Sequence, residues 1–183
     1  ALPISVDRLR QQADRHRAPE GAALERLGDD LEAGVAIGLV EQPRAQEDRQ
    51  ALSDSVAAGW AAICSDHTPV GADDKLLPFG EAKPGATGLE VLLPLTLKWA
   101  EAAQVDLPTA LARITAMPAR ILGSSAGCLA IGTNADICVF DPAASWQLTP
   151  EALKSRGKNS PWLGHPMPGK VLKTLVGGRI VHG

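Results

Sequence analysis

The apolar positions follow different rhythms in different parts of the chain. In residues 1–43 the stretches "ISVDRLRQQADRHR" and "GAALERLGDDLEAGVAIGLV" repeat apolar residues at patchy helical spacing, which predicts helices there. The next segment, "EDRQALSDSVAAGW", reads as a short amphipathic helix ending at Gly59. "AAICS" then packs small and apolar residues together without alternation, as a strand buried on both faces of a parallel sheet does. This predicts a buried strand around Ile63 and Cys64, with Asp66 at its C-terminal end. From His67 to Thr87 the chain is rich in glycine, proline and charge, longer than the connections usual inside compact domains and of the kind that more often serves function. Helical spacing returns in "LEVLLPLTLKWAEAAQ", with Pro94 as a kink or tightened turn. Asp106 and Pro108 open a further helix, and Pro118 begins a short one stopped by Gly123.

After Gly127 the rhythm changes to period two. "ADICVFDP" alternates around Ile137, Val139 and Phe140, and "GKVLKTLVGGRIVHG" reads as two strands turning at Gly177-Gly178. The polar, turn-rich "WQLTPEALKSRGKNSPWLGHP" lies between them, and Trp146 and Trp162 are the natural packing anchors of so small a β structure. A strand, a long loop and a helix make a β/α unit, so the fold class is α/β with a β-rich annex.

Composition narrows the function classes. A net charge of -3 and a pI near 5.8 give no concentrated basic patch, so no nucleic-acid partner is expected. No run approaches the roughly 20 apolar residues of a membrane span, and "ALPISVDRLRQQADRHR" lacks the apolar core of a signal peptide, so a cytoplasmic location without membrane contact is expected. Cys64, Cys128 and Cys138 form no CxxC pair and are odd in number, which predicts reduced, buried thiols rather than a disulfide framework. Basic residues are unevenly used: residues 1–60 hold seven arginines and no lysine, the remainder seven lysines and four arginines.

Candidate chemistry centres on "ICSDHTPV". Read in order, "SDHTP", "LPFGEAKPGATGLEVLLPL", "MPARILG", "GTNADICVFDP" and "GKNSPWLGHPMPGKVLKTLVGGRIV" resemble the C-terminal part of a dihydroorotase of the amidohydrolase superfamily, from about Arg44 to the end. That resemblance implies a zinc-dependent (β/α)8 barrel that interconverts dihydroorotate and carbamoyl aspartate in pyrimidine synthesis. It implies that Asp66, matching the aspartate of a D-H-x-P-H motif at the end of the eighth barrel strand, binds metal and acts as general acid/base. It also implies that Pro84 and Gly85, at the places of an A-P-F-G loop, touch substrate through the backbone. The local reading agrees, since a carboxylate at the C-terminal end of a barrel strand points into the mouth where catalytic groups collect.

The motif is altered at two points. Val70 stands where the family has a substrate-contacting histidine, and an isopropyl group cannot donate to a carboxylate. The phenylalanine of A-P-F-G is also replaced. The family's H-x-H metal pair and bridging lysine have no match, because His16 is the sole histidine upstream. These departures resemble the non-catalytic dihydroorotase-like chains that accompany bacterial aspartate transcarbamoylase, which implies that catalytic chain as a partner and no zinc bound here. The alternative is part of an active zinc dihydroorotase. Residues 1–126 are too few for the about 250 of a complete barrel. The expected architecture is therefore an unmatched helical segment at 1–43, the C-terminal portion of a barrel at 44–126 and a β annex at 127–183. An open barrel wedge exposes strand edges and apolar surface, so self-association is expected.

Other polar residues have simpler readings. His67 is either a partner of the site carboxylate or an ordinary loop histidine. Asp73, Asp74 and Glu81 are solvated loop acids without a ligand role. Arg113 and Arg120 are surface or salt-bridging groups rather than substrate clamps.

Overall fold

The computed structural model describes residues 46–78 and 81–183. The helices expected in residues 1–43 lie outside that range. The described elements are α1 (Gln46–Ala58), α2 (Ala72–Lys75), a 3-10 turn (Leu89–Val91), α3 (Leu92–Ala102), α4 (Leu107–Ala112), α5 (Ala116–Leu122), β1 (Ile137–Gln147), β2 (Pro166–Val176) and β3 (Arg179–His182). No helix among the described residues is long and apolar enough to cross a membrane.

These elements group into two compact units. One comprises the described residues up to Cys64 together with Thr96–Ala135; the other comprises Ser65–Leu95 and Asp136–Gly183.

The first unit holds α1, α4, α5 and the part of α3 from Thr96 onward, and α1 and α5 end at the glycines that follow them in the sequence. Leu52 and Val56, one turn apart on α1, are buried, and the helix stops at Gly59, whose φ of +83° costs a residue without Cβ little. Arg113 is not the surface group expected: it is half-buried, lies against Gly59 and donates from Nη2 to the Ala57 carbonyl at 2.9 Å. A cation there satisfies an orphan carbonyl in the last turn of α1 and opposes the negative end of its dipole. Pro94 sits in the first turn of α3, where a missing N–H leaves no helical bond unmade, so it neither kinks nor breaks the helix. Val91, Leu95 and Trp99 recur at intervals of four and are buried, and the Trp99 indole donates to Ser53 Oγ at 2.9 Å.

Asp106 caps α4, its carboxylate accepting the Thr109 N–H at 3.0 Å. Thr109, through its side chain first and its backbone N–H second, holds this carboxyl below the ordinary aspartate value of 3.8. A depressed folded-state pKa adds stability that is fully present above the unfolded value and is lost as pH falls through the lower folded one. Acid titration of unfolding should therefore show a stability loss below about pH 4 that is smaller in Asp106→Asn, which keeps the cap without its charge. Equal pH profiles for the two proteins would contradict this role.

The predicted strand at Ile63–Cys64 is not formed. Residues 61–70 carry neither helix nor strand, although Ala61, Ala62 and Ile63 are buried as their composition demands. A strand needs a ladder, and among the described residues no strand lies beside this segment; Ile63 N–H instead donates to the Arg113 carbonyl at 3.0 Å. The thiol expectation also fails in part: none of the three cysteines is in a disulfide, but all three are exposed.

In the second unit β1, β2 and β3 form an antiparallel sheet in that order, with β2 and β3 joined at Gly177-Gly178 as the hairpin signal predicted. Ile137 pairs with Leu175 and Trp146 with Met167, with register shifts after Val139 and after Asp141. Leu148, Leu153, Trp162 and Met167 are buried in the segment between the long strands and at the start of β2, so the turn-rich stretch carries much of this unit's core. Trp162 stands edge-on to His165, and half-buried Trp146 donates from Nε1 to the Gly169 carbonyl, so both tryptophans serve packing as expected.

Candidate functional site

The residues singled out by sequence lie in the second unit, where three segments meet: 66–70, 84–90 and 153–160. Asp66 is exposed and holds φ at +40°, a conformation uncommon for a residue with a Cβ. The chain is fastened directly beyond it, since Thr68 N–H donates to the Ala86 carbonyl at 3.0 Å. The carboxylate thus stands on a corner whose C-terminal arm is fixed.

His67 is engaged at both ring nitrogens. Nδ1 accepts from the N–H groups of Gly88 (3.2 Å) and Leu89 (3.1 Å), and Nε2 lies 3.3 Å from Ser155 Oγ. An atom accepting two backbone N–H groups carries no proton, so the ring proton belongs on Nε2 and is donated to Ser155. The Ser155–His67 pair is therefore no nucleophile and base, because the nitrogen facing the hydroxyl is already protonated.

Val70 is only 7% exposed. A Cβ on Gly157 would come within 2.7 Å of Pro69 Cβ and 3.0 Å of Val70 N, so this pair packs directly against the 153–160 segment. Gly85, with φ at +125°, presses on Thr68: a Cβ there would lie 2.6 Å from the Thr68 carbonyl oxygen. Its own carbonyl accepts from Asn159 Nδ2 at 3.1 Å. Pro84, the other expected backbone contact, is exposed beside it.

The residues that sequence reasoning missed are the ones tying 84–90 to 153–160. Buried Thr87 donates from Oγ1 to the Gly157 carbonyl (2.6 Å) and from its N–H to the Asn159 carbonyl (2.7 Å). Glu90 Oε1 accepts the N–H groups of Lys154 (2.9 Å) and Ser155 (2.7 Å), while Oε2 is buried with no partner among the described residues. In the sequence Glu90 stands within the helical stretch "LEVLLPLTLKWAEAAQ" and Asn159 within a matching motif, with nothing to link them. No local periodicity reveals a partner 64 or more residues away.

Of the acids set aside earlier, Asp73 and Asp74 lie on α2, and Asp74 pairs with the exposed Lys83 at 3.1 Å. Among the described residues no group of three or more His, Cys, Asp or Glu side chains stands close enough to hold a metal ion. At the motif itself both His67 nitrogens are committed, which leaves Asp66 as the open donor where zinc takes four ligands. The described residues by themselves do not fit a zinc ion.

Comparison with known proteins gives this geometry a lineage. A model of the Amidohydrolase family matches residues 11–182, reaching upstream of Arg44, from about which the resemblance runs. A dihydroorotase-like protein of Pseudomonas aeruginosa is 45% identical over 159 residues, 85% of this chain and 37% of that protein. A dihydroorotase of Geotalea daltonii is 39% identical over the same shares. Among solved structures, an L-hydantoinase (dihydropyrimidinase) from Arthrobacter aurescens superposes with a TM-score of 0.69 at 25% identity, over 82% of this chain and 36% of that one. A dihydropyrimidinase from Brevibacillus agri gives 0.70 at 22%, over 84% and 35%. The chain spans little more than a third of the length of the curated relatives it matches.

Proposed function

Since this chain belongs to the amidohydrolase family, we propose that it is a dihydroorotase-like protein of pyrimidine synthesis, the C-terminal portion of a (β/α)8 barrel with its β annex, non-catalytic in this form. The observation that carries the reading is the contrast between Asp66 and Val70. Asp66, matching the family's acid/base, is exposed on its corner; Val70, at the place of a substrate-contacting histidine, is buried, its backbone N close to Gly157. An apolar side chain turned into the core offers a substrate carboxylate no donor, and the two committed nitrogens of His67 do not replace it.

The aspartate transcarbamoylase catalytic chain is the partner proposed for this protein, in the cytoplasm. Supporting an association of some kind, Val139, Leu172, Val176, Ile180 and Val181 of the sheet are exposed. Self-association is the other use this surface allows.

A second reading, part of an active zinc dihydroorotase, is favoured by relatives named dihydroorotase that are nearly as similar as those named dihydroorotase-like. One preparation separates the two. With added zinc the chain should not turn over dihydroorotate, and mixed with the transcarbamoylase chain it should elute as a heavier species. Turnover that disappears in Asp66→Ala would establish the second reading instead.

A further inference from the structure

We propose that His67 is a positioning residue: a neutral latch, protonated on Nε2, that fixes the corner bearing Asp66 to the start of the helical segment at Leu89 and to Ser155. The first N–H groups of a helix have no partner within it. Gly88, preceding the 3-10 turn, makes no side-chain cap of its own. His67 supplies that cap from 21 residues away, one nitrogen accepting both N–H groups. Its other nitrogen reaches Ser155, whose own N–H is held by Glu90 from the same turn. The imidazole is thus the side chain on which all three segments converge, and it is the neighbour of Asp66.

The left-handed backbone of Asp66 gives the latch its purpose. Such a conformation in a residue with a Cβ is costly and persists only where the surroundings over-determine it. Here the surroundings are the bonds of His67 and the bond from Thr68 N–H to Ala86, which together hold the arm that follows the corner. The purpose rests on the reading of Asp66 as the site's carboxylate, whereas the latch itself is measured without reference to any reaction.

The experiment is amide exchange on the 15N-labelled full chain. In the native protein the Gly88 and Leu89 amides should be protected, and His67→Ala should speed their exchange about tenfold or more while the amides of α4 keep their rates. His67→Asn, which sets a carbonyl oxygen near the position of Nδ1, should restore much of the protection; a merely space-filling role for the ring would not give this rescue. Unchanged exchange at Gly88 and Leu89 in His67→Ala overturns the latch, and so does rescue by His67→Leu equal to that by His67→Asn. Should His67→Ala fail to fold, the long-range 1H–15N spectrum of the native histidines decides: an unprotonated Nδ1 with a protonated Nε2 on His67 supports the proposal, and a proton on Nδ1 overturns it. Failure of the dihydroorotate or partner experiments would leave these exchange results untouched.

Discussion

Gly85→Ala should destabilise the second unit by on the order of 3 kcal/mol, the sum of a forbidden backbone conformation and an unrelieved clash. At φ +125° a side chain is strained whatever the space around it, and here there is none: the new Cβ would meet the Thr68 carbonyl oxygen at 2.6 Å and its Cγ2 at 2.8 Å. The first of those atoms is backbone, so relief requires moving the 66–70 corner or the 84–90 loop. Either movement also strains the bonds from Thr68 to Ala86 and from Asn159 to Gly85. Gly164→Ala is the control, because Gly164 has φ at +82° with nothing within 4 Å of a Cβ and should lose only about 1–2 kcal/mol. Urea unfolding of the three proteins checks the difference; equal losses would mean that the approach to Thr68 contributes nothing.

Trp162→Ala should cost about 3–5 kcal/mol, the range for removing a large aromatic from a core. The residue is 2% exposed, stands edge-on to His165 at a centroid distance of 6.2 Å, and lies in a segment fastened by Gly164 N–H to Leu148 and Leu148 N–H to His165. Trp146→Ala should cost less, since that ring is half-buried and its principal loss is one hydrogen bond to Gly169. Thermal unfolding of both variants gives the order directly, and a larger loss at Trp146 would relocate the core of this unit.

Elements announced by their own residues were legible in the sequence. Asp106 before Pro108, Gly59 and Gly123 after helices, and the glycine pair between β2 and β3 each stand where backbone conformation demands that residue type, so local chemistry sufficed. The strand at Ile63–Cys64 was not so determined. Its apolar run correctly forecast burial of Ala61 to Ile63, but burial is a property of the segment and pairing is a property of its neighbour. Arg113 was misjudged for a related reason, as its role depends on a helix end 56 residues earlier.

The site divides in the same way. Asp66, His67, Val70, Pro84 and Gly85 were found through motif resemblance, and the structure brings the segments bearing them together in one unit. Thr87, Glu90, Ser155 and Asn159, which join those segments to 153–160, contribute largely through hydrogen bonds to or from the main chain. Such bonds depend little on the identity of the residue at the far end, so no pairing of residue types announces them.

The placement of the tryptophans has an optical consequence. The chain has four and no tyrosine, so its near-ultraviolet emission is that of indole alone. Trp60 and Trp99 belong to one unit, Trp146 and Trp162 to the other. Replacing either pair with phenylalanine leaves a protein whose fluorescence reports a single unit, and comparing the two traces on one denaturant axis measures whether the units lose their structure as one transition or as two.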